Sequence, residues 1–379
     1  MKMKMNNTNQ NLIDCFSKID DPRIERSKRH QLIDIFVIAI CAVICGAKGW
    51  EDMETFGKAK YEWLKTFLEL PNGIPGDDTY RRIFARISSN EFRNSFFEWI
   101  ESISKITDGD IVPIDGKTLR HSDDKAIGKN AIHMVSAWST QNQMVLGQIK
   151  TEDKSNEIKA IPKLLNLLDI AGCIVTIDAM GCQKDITKKI IEKRADYVIA
   201  LKGNQGSLLE DVSLFLDAAK NNKFADIEHD FYQTTEKGHG RIETRKYWIT
   251  NQINWLNERH PTWTNLKAIG LVESTRKIGN KISTELRYYI ASINPNAKIF
   301  AKAVRNHWGI ENSLHWVLDI AFREDECSIR TDNAPQNFAV LRHIALNLLK
   351  NEISFKRGLR AKGFRASMDN KYLDKILFS

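Results

Sequence analysis

Two apolar runs end alike. Val112-Pro113-Ile114-Asp115-Gly116-Lys117 and Val175-Thr176-Ile177-Asp178-Ala179-Met180 each lead hydrophobic residues into an aspartate followed by a small residue. A carboxylate at the end of a buried strand stands where open α/β sheets place their sites. Aspartate is also a common helix cap and turn former, so one such residue decides nothing. Two of them on strands that can be neighbours say more, because like charges held close together call for a cation between them. No Cys or His flanks either Asp at zinc-ligand spacing, and carboxylate oxygens suit a hard ion, Mg²⁺ or Mn²⁺. A later segment offers further ligands, since His307, Glu311, His315 and Asp319 recur every four positions. Such a row is one stripe of a helix, drifting by about 40° per step. The opposite surface, Ile310, Leu314, Val317 and Leu318, can pack on a sheet. The stripe can be read as a row of ligands or as a polar face with satisfied histidines. Zinc is disfavoured, because the two histidines lie eight apart rather than one helical turn apart.

The elements that must position these residues follow from periodicity. Ile111 to Ile114, Ile132 to Ser139 and Met144 to Thr151 read as short strands, the last two joined by a Gln141-Asn142-Gln143 turn. Glu157 to Leu168 reads as a helix, Cys173 to Asp178 as a strand, Asp185 to Lys193 as a helix and Tyr197 to Leu201 as a strand. Three strands, then helix, strand, helix and strand, is an α/β order with a parallel part wherever a helix connects successive strands. No glycine fingerprint follows any strand. Lys202-Gly203-Asn204-Gln205-Gly206 comes nearest, and it lacks the spacing and the Lys-Ser/Thr of a phosphate-cradling loop. From about 221 to 295 the pattern becomes β-rich, with Phe231 to Thr235, Arg241 to Thr250, Leu266 to Thr275 and Ser283 to Ser292 alternating. A long helical segment from about Ala297 to Phe322 carries the polar stripe, and another helix spans about Asn337 to Asn351.

Ahead of this core, residues 1–105 read as helical. Ile35 to Cys45 suits a buried helix, with Cys41 and Cys45 on one face as packing thiols. After Pro71 to Asp78, with Asp78 or Thr79 as a cap, Tyr80 to Ile87 carries Arg81, Arg82 and Arg86. This helix can read a DNA groove or merely present a solvated face. The chain end, Phe355 to Arg365, is basic and glycine-punctuated.

The composition bounds the classes. At 379 residues, 42% hydrophobic, 27% charged and with only 8 prolines, the chain is globular, with at least one large core. Its longest apolar run is about half a membrane span. Met1 to Gln10 is polar, so a secretory signal is not expected. Six scattered cysteines read as reduced thiols of a cytoplasmic protein. The formal net charge of +8 is compatible with a polyanionic partner and does not establish one.

Taken together, six strings resemble the insertion-sequence transposases of the H-repeat-associated type, members of the large DDE group. They are Asp115-Gly116-Lys117-Thr118-Leu119-Arg120, Lys154-Ser155-Asn156-Glu157-Ile158, Ile177 to Gln183, Ala200 to Gln205, Gly238 to Glu243, and His307-Trp308-Gly309-Ile310-Glu311-Asn312. The resemblance runs over nearly the whole chain. It implies a ribonuclease H-like mixed-sheet core over 106–220 and 296–350, a β-rich insertion at 221–295, a helical N-terminal domain at 1–105 associated with DNA binding, and a basic tail at 351–379. The carried-over triad is Asp115, Asp178 and Glu311. Related groups place a Tyr, an Arg and a Lys around the helix glutamate at spacings that fall here on Val304, His307 and Leu318. Phosphate contacts by those types are therefore not supported in this chain, and His307 or Arg305 stands in as a candidate.

Transposition of this type cuts a phosphodiester with water and joins the freed 3′-hydroxyl to a target strand. Two Mg²⁺ or Mn²⁺ ions about 3.5–4 Å apart suit both in-line displacements, with Asp115 shared between them and Asp178 and Glu311 each holding one. The expected partners are double-stranded DNA, as terminal inverted repeats and as target, and a second copy of the chain in the synaptic complex. Candidate DNA contacts are Lys117, Arg120, Lys202, Asn204, Arg241, Arg305 and His307, and Trp138, Trp308 and Trp316 are candidates for base stacking. A nuclease that cuts without joining, or a DNA-binding relic without catalysis, are the competing readings.

Overall fold

The computed structural model describes residues 7–105, 107–123, 128, 130–151, 157–238 and 240–378. Lys154, Ser155, Asn156 and His239, parts of two of the strings above, lie outside them. Six helices come first: α1 (Asn7–Ser17), α2 (Leu32–Ile44), α3 (Trp50–Ala59), α4 (Tyr61–Leu64), α5 (Asp77–Arg86) and α6 (Ser89–Ile103). The apolar run folds as the buried helix α2, closed on several sides by Phe16, Phe84 and Phe92 around Phe36. Asp34 is buried with it and accepts a hydrogen bond of 3.1 Å from the Leu70 N–H, which ties α2 to the loop between α4 and α5. Helix α5 begins earlier than expected. Gly76 occupies its cap position and the Asp77 N–H is satisfied by Glu54 instead of by a local side chain, so neither Asp78 nor Thr79 caps it. At α6 the Ser88 hydroxyl accepts from the Glu91 N–H, a conventional N-cap.

Among the described residues the sheet has nine strands: β1 (Ile111–Thr118), β2 (His133–Ser139), β3 (Met144–Lys150), β4 (Ile174–Ile177), β5 (Asp196–Ala200), β6 (Asp230–Gly238), β7 (Arg241–Thr250), β8 (Ala268–Ile278) and β9 (Lys281–Ala291). Their order is β3-β2-β1-β4-β5-β9-β8-β7-β6. β1, β2 and β3 are antiparallel neighbours, and β4 and β5 run parallel to β1. The parallel part arises where α7 (Glu157–Leu167) and α8 (Lys184–Glu192) make the crossovers. This is the mixed sheet of a ribonuclease H-like core. The β-rich segment does not stand apart from it, because β9 pairs antiparallel with β5 through Val198 with Ala291, and β8, β7 and β6 continue outward.

Between β5 and β6 lies α9 (Gly206–Asn221), and between β7 and β8 the short α10 (Asn254–Arg259). After β9 come α11 (Ala297–Ile310), a π-helical turn at Glu311–His315, and α12 (Trp316–Ala321). The single helix expected over 297–322 is thus interrupted where Glu311 sits. Next, α13 (Ala334–Asn351), buried along nearly its whole length, packs on α2, α5, α6 and β3 and joins the helical region to the sheet. The basic chain end forms α14 (Leu359–Met368) and α15 (Asn370–Phe378), which bury Tyr372, Leu373 and Ile376. All six cysteines are free thiols. No helix among the described residues is long and apolar enough to cross a membrane.

Candidate active site

Strand register brings the two aspartates together. β1 and β4 pair in parallel up to Ile114 with Ile177, so Asp115 and Asp178 are the next residue on each of two adjacent strands. Period-two alternation puts both on the face covered by α11, as with Ile111 and Ile174, which pack with Phe300 and Val304 of that helix. From α11 and the π-turn, His307 and Glu311 face the same space. Asp115, Asp178, His307 and Glu311 line one cleft of about 700 Å³ together with Lys202 and Trp308.

The local backbone explains how each carboxylate is held. Asp178 Oδ1 accepts from the N–H groups of Met180 and Gly181 at 3.1 and 3.2 Å, so the residue caps a short turn. Asn204 Nδ2 donates to the Ala179 carbonyl at 2.8 Å and steadies the same turn, so it acts here on protein backbone. Asp115 has a crowded rear. A Cβ on Gly116 would stand 2.5 Å from His133 Nε2 and from Glu157 Oε1, so glycine is the residue that fits. His133 bridges Thr118, at 2.9 Å, and Glu157.

Electrostatics single out Asp115. Burial pushes its carboxyl up to about 7, and Asp178, Glu157 and Glu311 act in the same direction, against the Gly116 N–H, which favours the charged form. Like charges in a half-closed cleft raise each other's cost of ionisation, and a cation would relieve it. His315, on the π-turn, brings Nδ1 to 3.5 Å from Asp115 Oδ2. Burial, with the Lys117 charge, lowers that imidazole to about 4, so it stands beside Asp115 as a neutral ring. His307 is likewise lowered by burial and has Nδ1 3.3 Å from the Thr176 hydroxyl. The π-turn at Glu311–His315 shifts the helical register within the stripe, a local distortion often found at functional sites.

The candidate phosphate contacts separate into groups. Lys202 lines the cleft. Lys117 does not face open cleft space: it is 14% exposed, bonds Asp319, and stands 2.8 Å from Glu324 and 3.5 Å from Asp325. Arg120 lies 3.2 Å from Asp325 and is otherwise exposed. Burial would raise Glu324, but Arg342 and Lys117 outweigh it and hold its carboxyl below the ordinary value. Arg305 donates to Glu236 of β6 at 2.9 Å and Arg241 pairs with Glu243 at 3.0 Å. Both line a second trough, which shares Arg287 and Trp308 with the cleft. Trp308 and Trp316 are exposed, whereas Trp138 is buried. Glu157, Glu324 and Asp325 were not singled out as site residues by sequence reasoning. Glu157 was visible only as part of a string, and the Arg323-Glu324-Asp325-Glu326 run reads as a loop charge cluster until the fold brings Lys117 to it.

Among the described residues, no three acidic, His or Cys side chains close tightly enough to enclose a metal ion. The carboxylates of Asp115, Asp178 and Glu311 that line the cleft are oxygen donors of the kind that suits a hard divalent cation.

Residues 106–348 match the family model described as Transposase DDE domain. The chain belongs to the DDE transposase family. The helical leader of this DDE transposase matches a second description, DDE_Tnp_1-associated, over residues 13–100. The transposase is 45% identical over 370 residues to the H repeat-associated protein YhhI of Escherichia coli (strain K12), covering 97% of each chain. It is also 45% identical over 373 residues to YncI of Escherichia coli O157:H7, covering 98% of this chain and 95% of YncI. A solved piggyBac transposase synaptic complex with hairpin DNA superposes with a TM-score of 0.47 at 10% identity, over 99% of this chain and 80% of that one.

Proposed function

We propose that this DDE transposase binds the terminal inverted repeats of a DNA element, cuts the strands there and joins them to a target, with Asp115, Asp178 and Glu311 as its catalytic carboxylates. The observation that carries the reading is the register that sets Asp115 beside Asp178, with Glu311 facing them across one cleft. A pair of Mg²⁺ or Mn²⁺ ions held by these three would activate the attacking oxygen and stabilise the leaving one. The chain's own residues prepare the cleft for this. Gly116 lets His133 and Glu157 pack directly behind Asp115, and His315 stands beside its carboxylate as a neutral ring. Lys202 supplies a positive charge at the rim for a flanking phosphate, and His307 takes up a place where related transposases put an arginine. Lys117 acts as a positioning residue, clamping β1 to α12 and to the loop that carries Glu324. Both steps are displacements at phosphorus, so the chemistry needs no Ser or Cys nucleophile. Synapsis of two ends calls for a second copy of the chain.

The test is strand transfer. Wild-type protein, a labelled duplex carrying the element's own terminal repeat, a supercoiled target and Mg²⁺ should yield joint molecules. Nicked ends without joint molecules would establish a nuclease, and intact DNA with retained binding would establish a non-catalytic binder.

A further inference from the structure

The string Arg241-Ile242-Glu243-Thr244-Arg245 places a charge at every second residue, and on a strand that period puts Arg241, Glu243 and Arg245 on one face. β7 carries the string, and register sets Glu243 directly opposite Arg276 of β8. Three guanidinium groups thus surround one carboxylate. Glu243 Oε1 stands 3.0 Å from Arg241 Nε and 3.6 Å from Arg276 Nε, while Oε2 accepts from Arg245 Nη2. Burial would raise the Glu243 carboxyl, but Arg245, Arg241 and Arg276 outweigh it and hold it below its ordinary value. A second carboxylate, Glu236 of β6, takes Arg245 at 3.3 Å and Arg305 of α11 at 2.9 Å, so the network runs from β8 across to α11. These side chains line a trough of about 650 Å³, in which Arg287 pairs with Glu285 at 2.8 Å. Five arginines line it against three glutamates, and every cation among the described residues that line it is an arginine. The trough runs into the acidic cleft through Arg287 and Trp308, which line both, the Arg287 guanidinium lying 5.3 Å from the centre of the Trp308 ring. A network that only tied strands together would need neither the cation excess nor guanidinium throughout. The planar fork of arginine matches phosphate oxygens, and Arg241 and Arg276 remain 42% and 47% exposed.

We propose that Glu243 is a positioning residue, which gathers Arg241, Arg245 and Arg276 into an array for the backbone phosphates of DNA leading into the acidic cleft. Like charges set opposite one another on a sheet are destabilising, so without the carboxylate the three side chains move apart into solvent. Glu243 subtracts one charge from the attraction and in return fixes the guanidinium forks along the path of a strand. The proposal rests on the transposase reading for the identity of the ligand as DNA.

The test uses the full-length chain, a duplex of arbitrary sequence about three helical turns long, no divalent metal, and fluorescence anisotropy over a range of salt. Net charge and positioning predict opposite signs. Glu243→Ala removes a negative charge, which on long-range attraction alone would tighten binding. Loss of a positioning residue should instead weaken binding about tenfold and flatten the slope of log affinity against log salt by about one or more. Glu243→Gln, of the same shape, should act in the same direction and serves where the alanine variant is unstable; melting curves show which variants are folded. In a chain that already carries Arg241→Gln, Arg245→Gln and Arg276→Gln, Glu243→Ala should no longer weaken binding, because a residue that acts through those three has nothing left to position. Unchanged or tighter binding by a folded Glu243 variant would overturn the proposal and leave the network as a strand clamp. An equal weakening in the background without the three arginines would overturn it as well. Nicking of an end duplex in Mg²⁺ is scored separately. Weakened binding by Glu243→Ala in a protein whose wild type never nicks would uphold the array and reject the catalytic reading. A nicking wild type with unchanged binding by Glu243→Ala would do the reverse.

Discussion

The cleft under α11 and the trough that adjoins it are cut into one sheet, yet their charges are opposite. The cleft gathers Asp115, Asp178 and Glu311, and the trough gathers Arg241, Arg245, Arg276, Arg287 and Arg305 around Glu236, Glu243 and Glu285. One region holds like charges close enough that burial and its neighbours push Asp115 up to about 7. The other interleaves its cations with carboxylates, and against the effect of burial Arg245, Arg241 and Arg276 hold Glu243 below its ordinary value. A ligand of positive charge would relieve the first, and one of negative charge would complete the second. The net charge of +8 is therefore a poor guide to partners, because a site for cations and a site for phosphates subtract from one another in the sum.

The largest effect that would sharpen this contrast is on cleavage. Asp115→Asn or Asp178→Asn should lower strand cutting by at least about a thousandfold, the upper end of what one charge-stabilising group supplies. Duplex binding should be almost unchanged, as read by gel shift beside the cutting assay. Binding that fell together with cutting would erase the division of labour. A smaller effect should appear in stability. Glu324 is 2% exposed and bonded to Lys117, so Glu324→Gln should cost about 3–5 kcal/mol in urea unfolding, as expected when one partner of a buried ion pair is removed. A neutral result would mean that Lys117 is free to turn to DNA. Next, Gly116→Ala forces a methyl group against His133 and Glu157. It should cost about 1–3 kcal/mol and displace Asp115, so cutting should fall while the salt slope of binding stays as in wild type.

A last effect is on pH dependence. Asp115 has a carboxyl raised in the folded state, so its contribution to folding is intact below the ordinary carboxylate range and is lost as pH rises towards about 7. Metal-free wild type should therefore lose stability between about pH 4 and pH 7 relative to Asp115→Asn, and Mg²⁺ should restore the stability of wild type above pH 7. Thermal melts of the two proteins across that range, with and without Mg²⁺, measure the difference.

Much of this arrangement was legible in the sequence because it rests on local pattern. Apolar runs ending in Asp115 and Asp178 marked strand ends, and the four-residue recurrence through Glu311 marked the helix facing them. The run Ile35 to Cys45 marked α2 by composition alone. What was hidden depends on contacts between distant residues. Lys117 looked like a phosphate ligand because nothing near it shows that Asp319 and Glu324 close over it. The pairing of β5 with β9 joins residues about ninety positions apart, so the β-rich segment read as an insertion without showing that it extends the sheet. The π-turn at Glu311 leaves the polar recurrence unchanged, so the stripe suggested a plain helix. At the chain end, basic residues masked the short apolar pattern of Tyr372, Leu373 and Ile376, which α13, α14 and α15 pack together. The trough draws its arginines from β7, β8, β9 and α11, and no linear motif contains them all.

The central claim is that Asp115, Asp178 and Glu311 form the catalytic centre, and Glu311 tests it most directly because it comes from the distant helix. Nicking of a duplex carrying the terminal repeat should be followed in Mg²⁺ for purified wild type and Glu311→Gln, with binding to the same duplex measured in parallel. The account predicts retained binding and nicking reduced to background. Nicking by Glu311→Gln at the wild-type rate would contradict it.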